Sequence, residues 1–133
     1  MEPAAGANVE AAGVLDREAL DQLGKLVLNS KPDLLARVIN LYLVESPKLV
    51  QKLKQAADAN DAPEIARSAH SLRSSSANVG AAVLSRYCGD IEASARRADT
   101  EEARKIFGII EAEHGRVQAA LTAEFETLAA SKA

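Results

Sequence analysis

From Asp16 to Ala129 the apolar residues of this chain recur at three- and four-residue spacing, and no segment shows the two-residue alternation of a strand. That periodicity restricts the chain to helices, and the breaks between them are marked. Asp16 is placed to cap a first helix that carries Leu20, Leu23 and Val27 on one side and ends near Asn29-Ser30. Pro32 suits the first turn of a second helix, where its missing N–H costs nothing. This helix runs toward Asn60, and Pro47 within it is expected to kink or briefly interrupt it. Asp61-Ala62-Pro63-Glu64 has the form of a capping box for a third helix, with Gly80 as its stop. A fourth covers about Ala81 to Ala98, with Leu84, Cys88, Ile91 and Ala95 in register. Asp99-Thr100-Glu101-Glu102 opens a last one that carries Ile106, Ile110, Val117, Leu121 and Leu128 to about Ala129.

Four longer helices with short connections predict an all-α fold, an antiparallel up-down-up-down four-helix bundle with the extra N-terminal helix packed across one end. Residues 1–13, rich in Ala, Gly and Glu and without apolar period, read as a flexible linker or arm. The domain proper is expected over 14–130, with 131–133 as a tail. Around Val38 to Val44 the second helix is apolar nearly all round, more than a bundle position needs. Either the first helix covers the extra side or a partner does.

Composition narrows the function classes. Hydrophobic residues make up 47% of the chain and the formal net charge is −3, so a core is available and an electrostatic case for nucleic acid is weak. No apolar run reaches the roughly 20 residues of a membrane-spanning helix. The N-terminus has no basic-then-apolar signal pattern, and the single Cys88 fits a reducing compartment, so a cytoplasmic domain without membrane contact is expected. Cys88 lies on an apolar stripe and reads as packing, and His114 reads as a solvated residue of the last helix.

One residue stands apart. On a helix, Ile65, Ala69, Leu72, Ser76 and Val79 fall along one line, which should face the core. His70 lies roughly 130° from it and should face solvent. Its neighbours three and four positions away are Ala66, Arg67, Arg73 and Ser74, with Ala77 a turn further on. Ser71, Ser74, Ser75 and Ser76 lie on or near the outward face, where Glu, Lys and Arg would be better helix formers. Small neighbours let another macromolecule approach the imidazole, and Ala66, Arg67, Ser74 and Ala77 form the candidate docking surface. Neutral imidazole is a competent nucleophile near neutral pH and can carry a covalent intermediate. Arg73 could offer a planar donor to phosphoryl oxygens.

These residues resemble the histidine-containing phosphotransfer (HPt) domain of bacterial multistep phosphorelays. The family pattern is roughly Ala-His-x-Leu-Lys-Gly followed by small residues, Asn-hydrophobic-Gly-Ala and a leucine. Here it reads Ala69-His70-Ser71-Leu72-Arg73-Ser74-Ser75-Ser76-Ala77-Asn78-Val79-Gly80-Ala81, then Leu84. Tyr87-Cys88-Gly89-Asp90-Ile91-Glu92-Ala93-Ser94-Ala95-Arg96 is similar to the family's Cys-x-x-Leu-Glu-x-x-Ala-Arg helix. Val14-Leu15-Asp16 with Leu20-Asp21-Gln22-Leu23 resembles the start of the domain in hybrid sensor kinases. Arg73 stands where the family usually has Lys, and Ser74 where it has Gly.

The resemblance implies that His70 accepts a phosphoryl group from a receiver-domain aspartate and passes it to another receiver. It implies a monomeric carrier without an ATP site, working with receivers of a hybrid kinase or a response regulator. No cofactor is expected in this domain, with Mg²⁺ on the partner receiver. The main alternative is a non-phosphorylated helical adaptor that binds receivers or other signalling proteins. A metal-binding bundle fits less well, since His114 is the only other histidine and no Glu-x-x-His pair occurs.

Overall fold

The computed structural model describes residues 14–16, 18–22 and 34–131. Four helices carry the fold: α1 over Leu34–Asp58, α2 over Ala62–Asn78, α3 over Ala82–Arg96 and α4 over Thr100–Ser131. Residues 18–22 are also helical, and there is no strand among the described residues. The connections 59–61, 79–81 and 97–99 are too short for anything but antiparallel neighbours. Each helix packs against the next, and α4 closes the ring against α1. The expected arm over 1–13, the end of the first helix near Asn29-Ser30, Pro32 and the last two residues lie outside the described residues.

The helix starts follow from their caps. Asp61 Oδ1 accepts from the Glu64 N–H at 3.2 Å, and Asp99 Oδ1 accepts from the Glu102 N–H at 3.0 Å. The capping box at α2 is half made, because the Glu64 carboxylate turns away to Arg67 and Ser68. Asp16 Oδ1 likewise accepts from the Ala19 N–H at 3.2 Å. The segment around it crosses the bundle end that carries the 79–81 turn, with Val14, Leu15 and Leu20 buried. The Asp16 N–H donates to the Gly80 carbonyl. Gly80 has φ +80°, and a Cβ there would stand 2.9 Å from the Asp16 carbonyl oxygen, so a side chain would both strain the backbone and displace the clasp.

The core is aliphatic. Ile39, Leu53, Ile65, Leu72, Leu84, Ile91, Ile110, Val117 and Leu121 are fully buried. On α2 the line Ile65, Ala69, Leu72, Ser76 and Val79 faces inward as its spacing predicts. Ser76 is therefore not on the outward face: its Oγ lies 2.8 Å from the Tyr42 hydroxyl of α1, both buried. Cys88 is buried, which pushes its thiol up to about 12 and keeps it unreactive.

Pro47 does not interrupt α1, which runs unbroken through it. A proline leaves the carbonyl four residues earlier without its helical donor. Here that carbonyl belongs to Leu43, and Gln118 Nε2 of α4 donates to it at 3.2 Å. Beside it, Ser46 Oγ lies 2.8 Å from His114 Nε2 and donates to Gln118 Oε1 at 3.2 Å. His114 is thus not solvated. It is 7% exposed, and burial alone holds its pKa below the ordinary histidine value.

The all-round apolar stretch of α1 is only partly used by the core. Ile39 and Tyr42 are buried and Val38 and Leu43 pack against the core, whereas Leu41 and Val44 are 62% and 50% exposed.

Candidate functional site

His70 stands midway along α2, turned outward because Ala69 and Leu72 on either side are drawn into the core. Its side chain is 63% exposed. The wall beside it comes from α3. Leu84, Cys88, Ile91 and Ala95 fix the inward face of that helix, and Glu92, next to this stripe, is held at the α2–α3 seam. Glu92 is only 6% exposed and has three cationic or ionisable neighbours. Its Oε2 lies 3.3 Å from His70 Nδ1 and 2.6 Å from Arg96 Nη2, and its Oε1 lies 3.2 Å from Arg73 Nη1.

Burial would raise the Glu92 pKa, but hydrogen bonds from Arg96 and Arg73, helped by the charge of a protonated His70, bring it below the ordinary carboxylate value. An ionised carboxylate only accepts hydrogen bonds. The imidazole nitrogen facing it is therefore best protonated, since two lone pairs facing each other repel. That assignment leaves the Nε2 lone pair of a neutral ring free.

Two clefts flank this cluster. One, of about 840 Å³, is lined by His70 with Ala66, Arg67, Ser71 and Arg96 among others. The other, of about 630 Å³, holds Arg73, Ala77, Gly80, Arg86 and Gly89 along its walls. The candidate docking residues are thereby divided: Ala66 and Arg67 share the histidine's cleft, Ala77 lies in the second, and Ser74 is exposed but lines neither. Arg67 is held by Glu64, with Nε and Nη2 at 3.0 and 2.8 Å from Oε1. Arg73 bonds Glu92, and its backbone carbonyl accepts from Ser85 Oγ at 3.1 Å.

Glu92 and Arg96 carry no role in the sequence reading, although the structure makes them the centre of the site. The signal available was a carboxylate beside an apolar stripe with Arg four positions on, a favourable helical pair. Among the described residues no group of three or more His, Cys, Asp or Glu is disposed to hold a metal, and no helix is long and apolar enough to cross a membrane.

An antiparallel helical bundle that offers one exposed imidazole, backed by a carboxylate and flanked by guanidinium groups, has the build of a histidine phosphoryl carrier. The sequence model of the Hpt domain family matches residues 37–131, and the chain belongs to that family. The chain is also similar to histidine-containing phosphotransfer protein B (HptB) of Pseudomonas aeruginosa PAO1. The crystal structure of that protein superimposes with a TM-score of 0.81 at 28% sequence identity, covering 87% of this chain and 97% of that one. A comparison with curated protein sequences finds no match. Hpt domains are phosphoryl carriers that work with receiver domains in phosphorelays, and this chain has a histidine phosphotransfer role.

Proposed function

We propose that His70 is the phosphoacceptor, taking its phosphoryl group from the aspartyl phosphate of one receiver domain and delivering it to the aspartate of another. The observation that carries this reading is the exposed His70 ring, its Nδ1 3.3 Å from Glu92 Oε2, lining a cleft that also holds Arg67 and Arg96. Nε2 attacks phosphorus, the N–P bond forms, and the P–O bond to the aspartate breaks, releasing a carboxylate. No proton has to leave, because Nδ1 keeps its own and the positive charge that develops on the ring faces Glu92. Phosphoryl transfer through a loose transition state asks mainly for alignment and charge stabilisation, which this arrangement supplies.

Mg²⁺ belongs, in this reading, to the acidic pocket of the receiver, and the domain needs no nucleotide of its own. The test is to phosphorylate a receiver with a small phosphodonor and add this protein. Wild type should acquire an acid-labile, base-stable label, and His70→Gln should acquire none while remaining folded. Receiver binding without any label on wild type would instead support an adaptor.

A further inference from the structure

The cations around His70 are not equally committed. Arg73 and Arg96 both bond Glu92, which is only 6% exposed, so drawing either away would leave a nearly buried carboxylate short of a donor. Arg73 also lies in the other cleft, as does Arg86, which rests over the Tyr87 ring at 6.0 Å from its centroid. Arg67 differs on both counts. It lines the same cleft as His70, one helical turn before it. Its side chain is 70% exposed, and it is held by Glu64 of its own helix. Only one edge of the guanidinium is used, with Nε and Nη2 at 3.0 and 2.8 Å from Glu64 Oε1. Such an exposed pair contributes about 1 kcal/mol or less. Glu64 also keeps a second donor when Arg67 leaves, since Ser68 Oγ bonds its other oxygen at 2.9 Å.

We propose that Arg67 clamps the phosphoryl group carried by His70, giving its guanidinium to the phosphoryl oxygens, with Glu64 as its partner in the unphosphorylated protein. The proposal rests on the reading of His70 as phosphoacceptor. It gives the phosphoryl contact to the cation before the histidine, where the sequence drew attention to Arg73 after it. A phosphoryl dianion on His70 lies three residues from a planar fork that can meet its oxygens with two parallel N–H donors. In a loose transition state the phosphoryl group sheds negative charge as it leaves. A cation on its oxygens therefore stabilises phosphohistidine more than the transition state of its hydrolysis. The contact lengthens the life of the N–P bond.

The test uses the full chain and phosphoramidate as donor. Its P–N bond breaks as Nε2 bonds phosphorus, and the already protonated nitrogen leaves as ammonia. With excess donor removed, decay of the label gives the half-life of phosphohistidine. Arg67→Gln should shorten it about threefold, the scale on which an exposed charge pair acts. Arg67→Lys keeps a cation without the planar fork and should recover part of the loss. Glu64→Gln removes the same ion pair but leaves the guanidinium, so the half-life should stay within about twofold of wild type. In ¹H–¹⁵N spectra, phosphorylation should move the Arg67 Nε–H signal of wild type and of Glu64→Gln alike. An unchanged half-life in Arg67→Gln overturns the proposal, and so does an unmoved Arg67 signal. Equal shortening by Glu64→Gln also overturns it, because Arg67 would then matter only as half of a surface ion pair. Absence of label on wild type would instead sink the phosphoacceptor reading itself, whereas a labelled His70 with decay indifferent to Arg67 sinks the clamp alone.

Discussion

Tyr42 and Ser76 show how a single polar pair can be required in an aliphatic core. The Tyr42 ring is buried, its hydroxyl is pushed up to about 12 by that burial, and its hydrogen bond to Ser76 Oγ at 2.8 Å joins α1 to the helix that carries His70. Removing Tyr42 Oη leaves the buried Ser76 hydroxyl without this partner, and removing Ser76 Oγ leaves the Tyr42 hydroxyl with Ser46 alone. Ser76→Ala and Tyr42→Phe should each cost about 1–3 kcal/mol of stability, because an unsatisfied buried hydroxyl costs more than the bond contributes. The double substitution should cost clearly less than the sum of the two, since neither hydroxyl is then stranded. Urea unfolding of the four proteins measures that coupling, and simple additivity would show the bond to be energetically idle.

At the level of the elements, periodicity exposed the helices and their ends because caps and apolar stripes are local properties. Asp61, Asp99 and Gly80 lie where their chemistry placed them. The inward line of α2, and with it the outward direction of His70, was legible for the same reason. What stayed hidden were pairings between helices. His114 follows Ile110 by four and precedes Val117 by three, so its register was already that of the core. A polar residue in that register can be buried only if a partner meets it, and its partner Ser46 lies 68 positions away. Glu92 was obscured in the same manner, its role depending on cations from two helices. Pro47 read as a break because the donor that compensates it, Gln118, sits on α4. This compensation is testable. Gln118→Leu should destabilise the wild type by about 1 kcal/mol, the cost of leaving the part-buried Leu43 carbonyl and Ser46 hydroxyl without this partner. In a Pro47→Ala background, where residue 47 again supplies an N–H to Leu43, part of that penalty should disappear. Equal penalties in the two backgrounds, read from denaturant midpoints, would mean that Gln118 does not serve the proline gap.

Across the whole molecule, the buried polar groups couple stability to pH in two separate windows. His114 is nearly buried, and loss of hydration lowers its pKa from the ordinary 6.5. Tyr42 is the titratable ring packed against it, at 6.3 Å between centroids, and is neutral throughout this range. As pH falls through about 6.5 the unfolded chain takes up a proton on this residue before the folded chain does. Unfolding then binds protons, so stability is full above that pH and declines below it, with a limiting slope of about 1.4 kcal/mol per pH unit. Glu92 acts lower on the scale. Its folded pKa lies below the ordinary 4.5, so its contribution is present above that value and is lost as acid protonates it. That loss also releases Arg73 and Arg96 from the carboxylate and removes the acceptor facing His70 Nδ1. Urea unfolding between pH 7.5 and 5 should therefore show stability falling on the acid side, and His114→Gln should flatten that part of the curve. The glutamine amide can still bond Ser46 but has no proton to gain. Glu92→Gln should flatten the region below about pH 4.5. If His114→Gln left the slope between pH 6.5 and 5 intact, the proton uptake would have to lie at another group.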